Sequence, residues 1–409
     1  MGRPPTPSLH PAIHKLVMSQ ALSKLGDNFT EVALALFVLA LTHRNVAALG
    51  VVLAMTYAPG ILLGWIVAGV IERLDRRRTL LVADVARGML VASIPLVHSY
   101  AWTLAAVFIM YSFSAVYRPL VRAVQPQIAG SAETNARSGA RQQSYYAVAD
   151  IGAYLAAAAV LFLWGVAPAF WIDAATYIGA AGLILAIRVR PEVWAPAGPG
   201  SGRFWAQLRG GYQYLRQKAL VLQLTLIATV VSLATAALNT FTAPLSRRLW
   251  HVSSDHYVWL LLAIACGTLL SGTLVERYAL VTRWNLRYPL ALGFLLVGGG
   301  YASVLVAKSW WVGAICLVMV GVGNGLFGTA LMFWVQQATP AEVRARVLAI
   351  RATGLGIGGA IGAWLGGWLA QTRGLPLAIG VVSTIWGALV IWLLMAHTLT
   401  SRQVQDNVA

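Results

Sequence analysis

The stretch Ile71-Glu72-Arg73-Leu74-Asp75-Arg76-Arg77-Arg78 places six charged side chains in eight positions, between two long apolar segments. About half a chain later a shorter echo follows: "AGVIERL" at 68–74 reads against "GTLVERY" at 272–278. Glu72 and Glu276 are therefore 204 residues apart (276 − 72). A charged hinge that repeats at half the chain length predicts two large units built alike.

The apolar surroundings decide what those units are. Of 409 residues, 59% are hydrophobic and 11% charged, and the mean hydropathy is +0.71, outside the balance of soluble domains. Windows of about 20 apolar residues, enough to cross a hydrocarbon core as helix, recur at 17–41, 47–71, 79–98, 101–118, 146–165, 169–187, 220–245, 257–275, 288–307, 310–333, 347–371 and 375–396. Backbone facing lipid has to satisfy its own hydrogen bonds, and continuous apolar runs do not suit barrel strands. The expected fold is an all-α membrane protein with twelve transmembrane helices in two six-helix halves.

Two further echoes join equivalent spans of the halves. "IGAYL" at 151–155 matches "IGAWL" at 361–365, and "AVQPQ" at 123–127 loosely matches "WVQQA" at 334–338. Three echoes predict a parallel repeat about an axis normal to the membrane. The rows of glycine and alanine in "GLGIGGAIGAWLGGWLA" and "IGAYLAAAAV" suit helices that pack closely and rock as rigid bodies. The expected domains are 1–190, a linker at 191–218 with an amphipathic helix, 219–396, and a tail at 397–409. In the linker Phe204, Leu208, Tyr212 and Leu215 fall near one helical face, flanked by basic residues, as in a helix lying in an anionic interface.

A formal charge of +17 raises nucleic acid as a partner, but the distribution of the basic residues argues against it. With loops taken alternately from the N-terminus, one set holds most of the Lys and Arg. The other holds only Arg44, Arg247, Arg248, Lys308 and Arg373. This predicts both termini in the cytoplasm, with Arg247-Arg248 as the one pair against the rule. The polar start "MGRPPTPSLHPAIHK" predicts no cleavable signal, the first apolar run remaining as a span. Cys266 and Cys316 fall inside spans without ligand spacing, so neither a disulfide framework nor a metal is expected.

Ionisable residues inside a bilayer cost free energy and mark pathways or relays. The first span, "SQALSKLGDNFTEVALALFVLALT", sets Asp27 and Glu31 four residues apart on one helical face. Two carboxylates facing one cavity do not both ionise easily, and such a pair can exchange a proton for a cationic substrate. Asn28 adds an amide, and Gly26 permits close approach of a neighbouring helix. Asp150 and Asp173 lie near span ends and are read as structural. The C-terminal half has no acid deep in a span, leaving Asn239, Asn324 and Gln336 as cavity-lining candidates.

The residues from Ala68 through Arg78, followed by "LLVADVARG", resemble the signature loop of the major facilitator superfamily, and the chain is similar to the branch of bacterial exporters that includes enterobactin and macrolide efflux proteins. "ETNARSGARQQS" and "TPAEVRARVLAI" extend that resemblance. It departs from the pattern at Glu72, where the family usually has Asp, and at Gly152-Ala153, where exporters carry Gly-Pro. The resemblance implies a gating loop of Glu72, Arg73, Asp75, Arg76, Arg77 and Arg78, with Asp84 and Arg87 completing a charge network that steadies the outward-open state. Ion pairs made in one conformation and released in the other would make it a latch.

These readings predict a multi-pass secondary active transporter of the bacterial inner membrane, not an enzyme. It would export an amphipathic small molecule of drug, macrolide or siderophore type by alternating access, coupled to protons, as a monomer among membrane lipids. No cofactor, metal or nucleic acid is expected: none of the four lysines sits in a phosphate loop. An alternative is lysophospholipid movement, since "LGDN" at 25–28 resembles the "FGDN" starts of lysophospholipid transporters in the same superfamily. A third reading is a sensor or scaffold that moves nothing.

Overall fold

A computed structural model of the chain describes residues 11–70, 74–196, 212–253, 256–278 and 287–395. Every regular element among the described residues is a helix. The first part of the chain forms α1 (Pro11–Leu41), α2 (Val46–Val70), α3 (Arg76–Ser93), α4 (Tyr100–Ala129), α5 (Ala132–Trp164), α6 (Ala167–Leu185) and a single turn, α7 (Pro191–Trp194). The second forms α8 (Ala219–Arg248), α9 (His256–Tyr278), α10 (Arg287–Val304), α11 (Trp310–Gln337), α12 (Ala341–Thr372) and α13 (Leu375–Met395).

Among the described residues, nine helices are long and apolar enough to cross a membrane by length and composition, and α10 adds the shorter apolar stretch Tyr288–Val304. Helices α1 and α3 are not among the nine, and both carry clustered charges: Lys24, Asp27 and Glu31 on α1, and Arg76, Arg77, Arg78, Asp84 and Arg87 on α3.

The apolar windows locate the helices but miss their polar extensions. The segment between the apolar windows 101–118 and 146–165 is helical on both sides of a two-residue break. Gly130, in the left-handed region at φ 72°, ends α4, and Ser131 caps α5 by accepting from Thr134 N at 3.1 Å. Helices α4, α5 and α12 thus extend past their apolar windows into polar sequence, where a hydropathy window does not report a helix. In the linker, residues 212–217 are helical, with Leu215 buried and Tyr212 exposed, while Phe204 and Leu208 lie outside the described residues.

The chain divides into two compact units, Met1–Leu34 with Leu62–Gly200, and Ala35–Ile61 with Ser201–Ala409. The end of α1 and most of α2 therefore belong with the second unit. In the first unit, Ile13, Leu16, Leu80, Leu120, Val124 and Ile184 form a buried apolar cluster. In the second, Phe294, Phe327 and Trp386 pack with ring centroids 5.4–5.5 Å apart.

The second unit is also held by backbone contact along α12. Gly354, Gly358, Gly362 and Gly366 recur every four residues, hence on one face, and that face lies against Thr229, Leu233 and Ala237 of α8. Close backbone approach is what small residues allow where lipid gives no hydrophobic drive for association. A methyl group at Gly366 would sit 2.8 Å from Ala237 Cα. Gly366→Val should therefore lower stability by about 1–3 kcal/mol, visible as a depressed thermal unfolding midpoint in detergent. Gly387→Ala, whose added methyl meets open space, should leave that midpoint unchanged or slightly raised.

Candidate functional site

Within the first unit, ionisable and hydroxyl groups from five helices converge. Helix α1 presents Lys24, Asp27, Asn28 and Glu31, spaced three and four residues apart on one face. Opposite it, α5 offers Asp150 and Tyr154, α6 offers Asp173 and Tyr177, and α3 offers Asp84 and Arg87, each pair a helical turn apart. Tyr117 comes from α4.

Three local assemblies result. In the first, Lys24 Nζ pairs with Asp150 Oδ1 at 3.2 Å and donates to Asn28 Oδ1 at 2.9 Å, while Asn28 Nδ2 donates to the same Asp150 oxygen at 2.7 Å. Asn28 is fully buried, so its amide fixes the geometry of an ion pair that is itself about one-third exposed. In the second, the Arg87 guanidinium is paired with Asp84 and sandwiched between the rings of Tyr117 and Tyr177, 4.3 Å and 4.5 Å from their centroids. Tyr177 then donates its hydroxyl proton to Asp27 Oδ1 at 2.5 Å. In the third, the fully buried Asp173 accepts from Thr30 and from Thr176, the latter at 3.3 Å. Gly26 is required at this crossing, because any side chain there would overlap Thr176 and the Asp173 carboxylate.

Glu31 stands apart. It is exposed, with the Tyr154 hydroxyl 3.5 Å from Oε2, whereas Asp27 is half-buried. The two acids predicted from their spacing thus lie on one face but have different neighbours. Asp27 bonds the Tyr177 hydroxyl.

Charge counting sharpens the picture. Five carboxyl groups (Asp27, Glu31, Asp84, Asp150, Asp173) meet two cations bonded among them (Lys24, Arg87), a formal excess of three negative charges (5 − 2). Sequence reasoning missed Lys24 and Tyr177 and undervalued Asp150. The signal for the first was present, since a lone lysine inside an apolar span needs a partner, and Asn28 follows it by one turn.

Glu72 and Arg73 lie outside the described residues. The rest of the loop is engaged inside the first unit. Asp75 caps α3 by accepting from Arg78 N at 2.8 Å. Arg76 donates to Gln127 Oε1 at 2.9 Å and to Val193 O at 3.0 Å. Arg77 donates to Leu185 O at 2.5 Å and lies 5.8 Å from the Trp194 ring centroid. Asp84 and Arg87, expected to complete a network with this loop, are buried and linked through Tyr177 to Asp27. In the second unit Asn239 and Gln336 are exposed and Asn324 is half-buried. Cys266 and Cys316 are free thiols.

The fold built around this site has solved counterparts. The family model described as "Major Facilitator Superfamily" matches residues 225–407. The nucleoside transporter NupG superposes with a TM-score of 0.75 at 13% identity, covering 94% of this chain and 98% of its own. A bacterial homologue of the human lysosomal transporter Spinster, inward-facing and occupied, gives 0.76 at 14% identity, covering 97% of each chain. A variant of the peptide transporter POT in complex with alafosfalin gives 0.72 at 12% identity, covering 95% of each. No curated protein matches the sequence. The chain therefore has the fold of major facilitator transporters.

The Asp84–Arg87 pair provides a direct check on the site. Both side chains are almost fully buried, so Arg87→Ala leaves a carboxylate without its cation and should cost about 3–5 kcal/mol. The readout is the thermal unfolding midpoint in detergent. The double variant Asp84→Asn/Arg87→Met, which removes both charges, should regain more than half of the loss.

Proposed function

We propose that the protein is a twelve-span, multi-pass secondary active transporter of the bacterial inner membrane, with both termini cytoplasmic. It works as a monomer among membrane lipids, exporting an amphipathic small molecule by alternating access in exchange for protons. The observation that carries this reading is that, within the cluster, five carboxyl groups share only the two cations bonded to them, Lys24 and Arg87. Isolated charges cost several kcal/mol in a bilayer, so surplus carboxylates need protons, or a cationic substrate, to neutralise them.

In this mechanism Glu31 and, one turn away, Asp27, bonded to Tyr177, exchange protons for substrate. Lys24, held by Asp150 and Asn28, supplies a fixed positive charge one turn away. The Asp84–Arg87–Tyr177 chain fixes the hydroxyl that Asp27 accepts from. Asn239, Asn324 and Gln336 provide uncharged polar contacts from the second half, so proton chemistry and substrate shape are divided between halves at 1–190 and 219–396. Glu72, Arg73, Asp75 and Arg76, Arg77 and Arg78 hold the cytoplasmic gate, in keeping with the resemblance to the enterobactin and macrolide exporters. The solved relatives are named for different cargoes, a nucleoside and a peptide among them, which leaves cargo class to the chemistry of the site.

The test is proton release from acidified inside-out vesicles on addition of lipophilic cations, macrolides, catecholate siderophores or lysolipids. Wild type should release protons with at least one compound, and Asp27→Asn should abolish that release. If no compound moves protons in wild type while lysolipid still flips between leaflets, the lipid-moving alternative replaces proton-coupled export.

A further inference from the structure

Arg44, Arg247 and Arg248 stand in the loop set that is otherwise poor in positive charge, and the mechanism above makes no use of them. In the second unit they converge. The turn between α1 and α2 brings His43 and Arg44 beside the C-terminal end of α8, and together with Arg247 and Arg248 they line a cavity of about 590 Å³. That size lies within the range of small-ligand sites. Leu36, Leu39, Ala243 and Pro244 form its apolar wall, and no carboxylate among the described residues lines it.

The geometry is built in advance. His43 and Arg44 both occupy the left-handed region, at φ 51° and 66°, which costs free energy in residues other than glycine and collects at functional positions. The turn is pinned: Arg248 Nη2 donates to Arg44 O at 3.1 Å and to Gln371 Oε1 at 3.2 Å, Arg248 Nη1 donates to Ala370 O at 3.3 Å, and Gln371 Oε1 also accepts from Val46 N at 3.0 Å. All of Arg248's partners are neutral, so its charge stays uncompensated. The side chains of Arg44 and Arg247 have no hydrogen-bond or ion-pair partner among the described residues. The dipole of α8 favours arginines in its last turn. It explains neither Arg44, on a different helix pair, nor the cavity.

We propose that this cavity binds an amphipathic phosphate: an anionic head held by Arg44, Arg247 and Arg248, with its apolar body along the leucine wall. Guanidinium groups grip phosphate through paired N–H donors, and His43 adds a further donor at the rim. The site is separate from the carboxyl cluster of the first unit and does not depend on proton-coupled export.

Native mass spectrometry of the delipidated protein, titrated with phosphatidylglycerol, phosphatidylcholine and inorganic phosphate, tests it. Wild type should bind phosphatidylglycerol in preference to phosphatidylcholine. Arg44→Ala/Arg247→Ala, which breaks no bond to a described residue, should bind phosphatidylglycerol about 30-fold more weakly, and Arg44→Lys/Arg247→Lys should keep most of the affinity. Displacement of the lipid by excess inorganic phosphate would assign the site to free phosphate anions, and persistence of the lipid would assign it to a headgroup. Equal phosphatidylglycerol binding by wild type and the double alanine variant, or no binding of either anion to wild type, would overturn the proposal.

Discussion

A charge carried into a bilayer has to find its counter-charge within the protein, because the lipid offers neither water nor a partner. That constraint organises the first unit. Lys24 is tolerable in α1 because Asp150 and Asn28 hold it, and Arg87 is tolerable in α3 because Asp84 and two tyrosine faces surround it. These contacts tie α1 to α5 and α3 to α4 and α6, so the same bonds that neutralise charge also position the helices. The carboxyl groups left over after this pairing, Asp27, Glu31 and Asp173, have no cation bonded to them and are held by hydroxyl groups.

The second unit answers the absence of hydrophobic drive in lipid differently. Its helices approach through glycine, with α12 presenting one face to α8 and another to α2, where Gly50 and Gly367 bring the two backbones together. Few charges lie inside it, and its conspicuous ones gather at the turn after α1 and the end of α8. One unit is thus fastened largely by ionic and hydroxyl bonds and the other largely by close packing.

Hydropathy made the helices legible because lipid imposes length and apolarity on any spanning segment, and the windows found α2, α6 and α13 within about two residues. It failed where the physics changes. The ends of α4, α5 and α12 are helical but polar in sequence, and only Gly130 and Ser131 betray the break between the first two. Spacing along α1 identified Asp27, Asn28 and Glu31 as one face, since a helix aligns residues three and four apart. Their partners were not readable, because Tyr177, Tyr154 and Asp150 are 122 to 150 residues away, and one sequence carries no information on which helices adjoin. Asp150 looked structural from its position near a span end. In the folded chain it is the counter-ion of Lys24.

Proton-coupled export requires carboxyl groups of the first unit to take up and release a proton inside the membrane. Infrared difference spectroscopy of the protein in lipid, titrated from acid to neutral pH, addresses it most directly. With proton-coupled export, wild type should show a protonated-carboxyl band that titrates and is diminished in both Asp27→Asn and Glu31→Gln. Identical titration of wild type and the Asp27→Asn/Glu31→Gln double variant would contradict it.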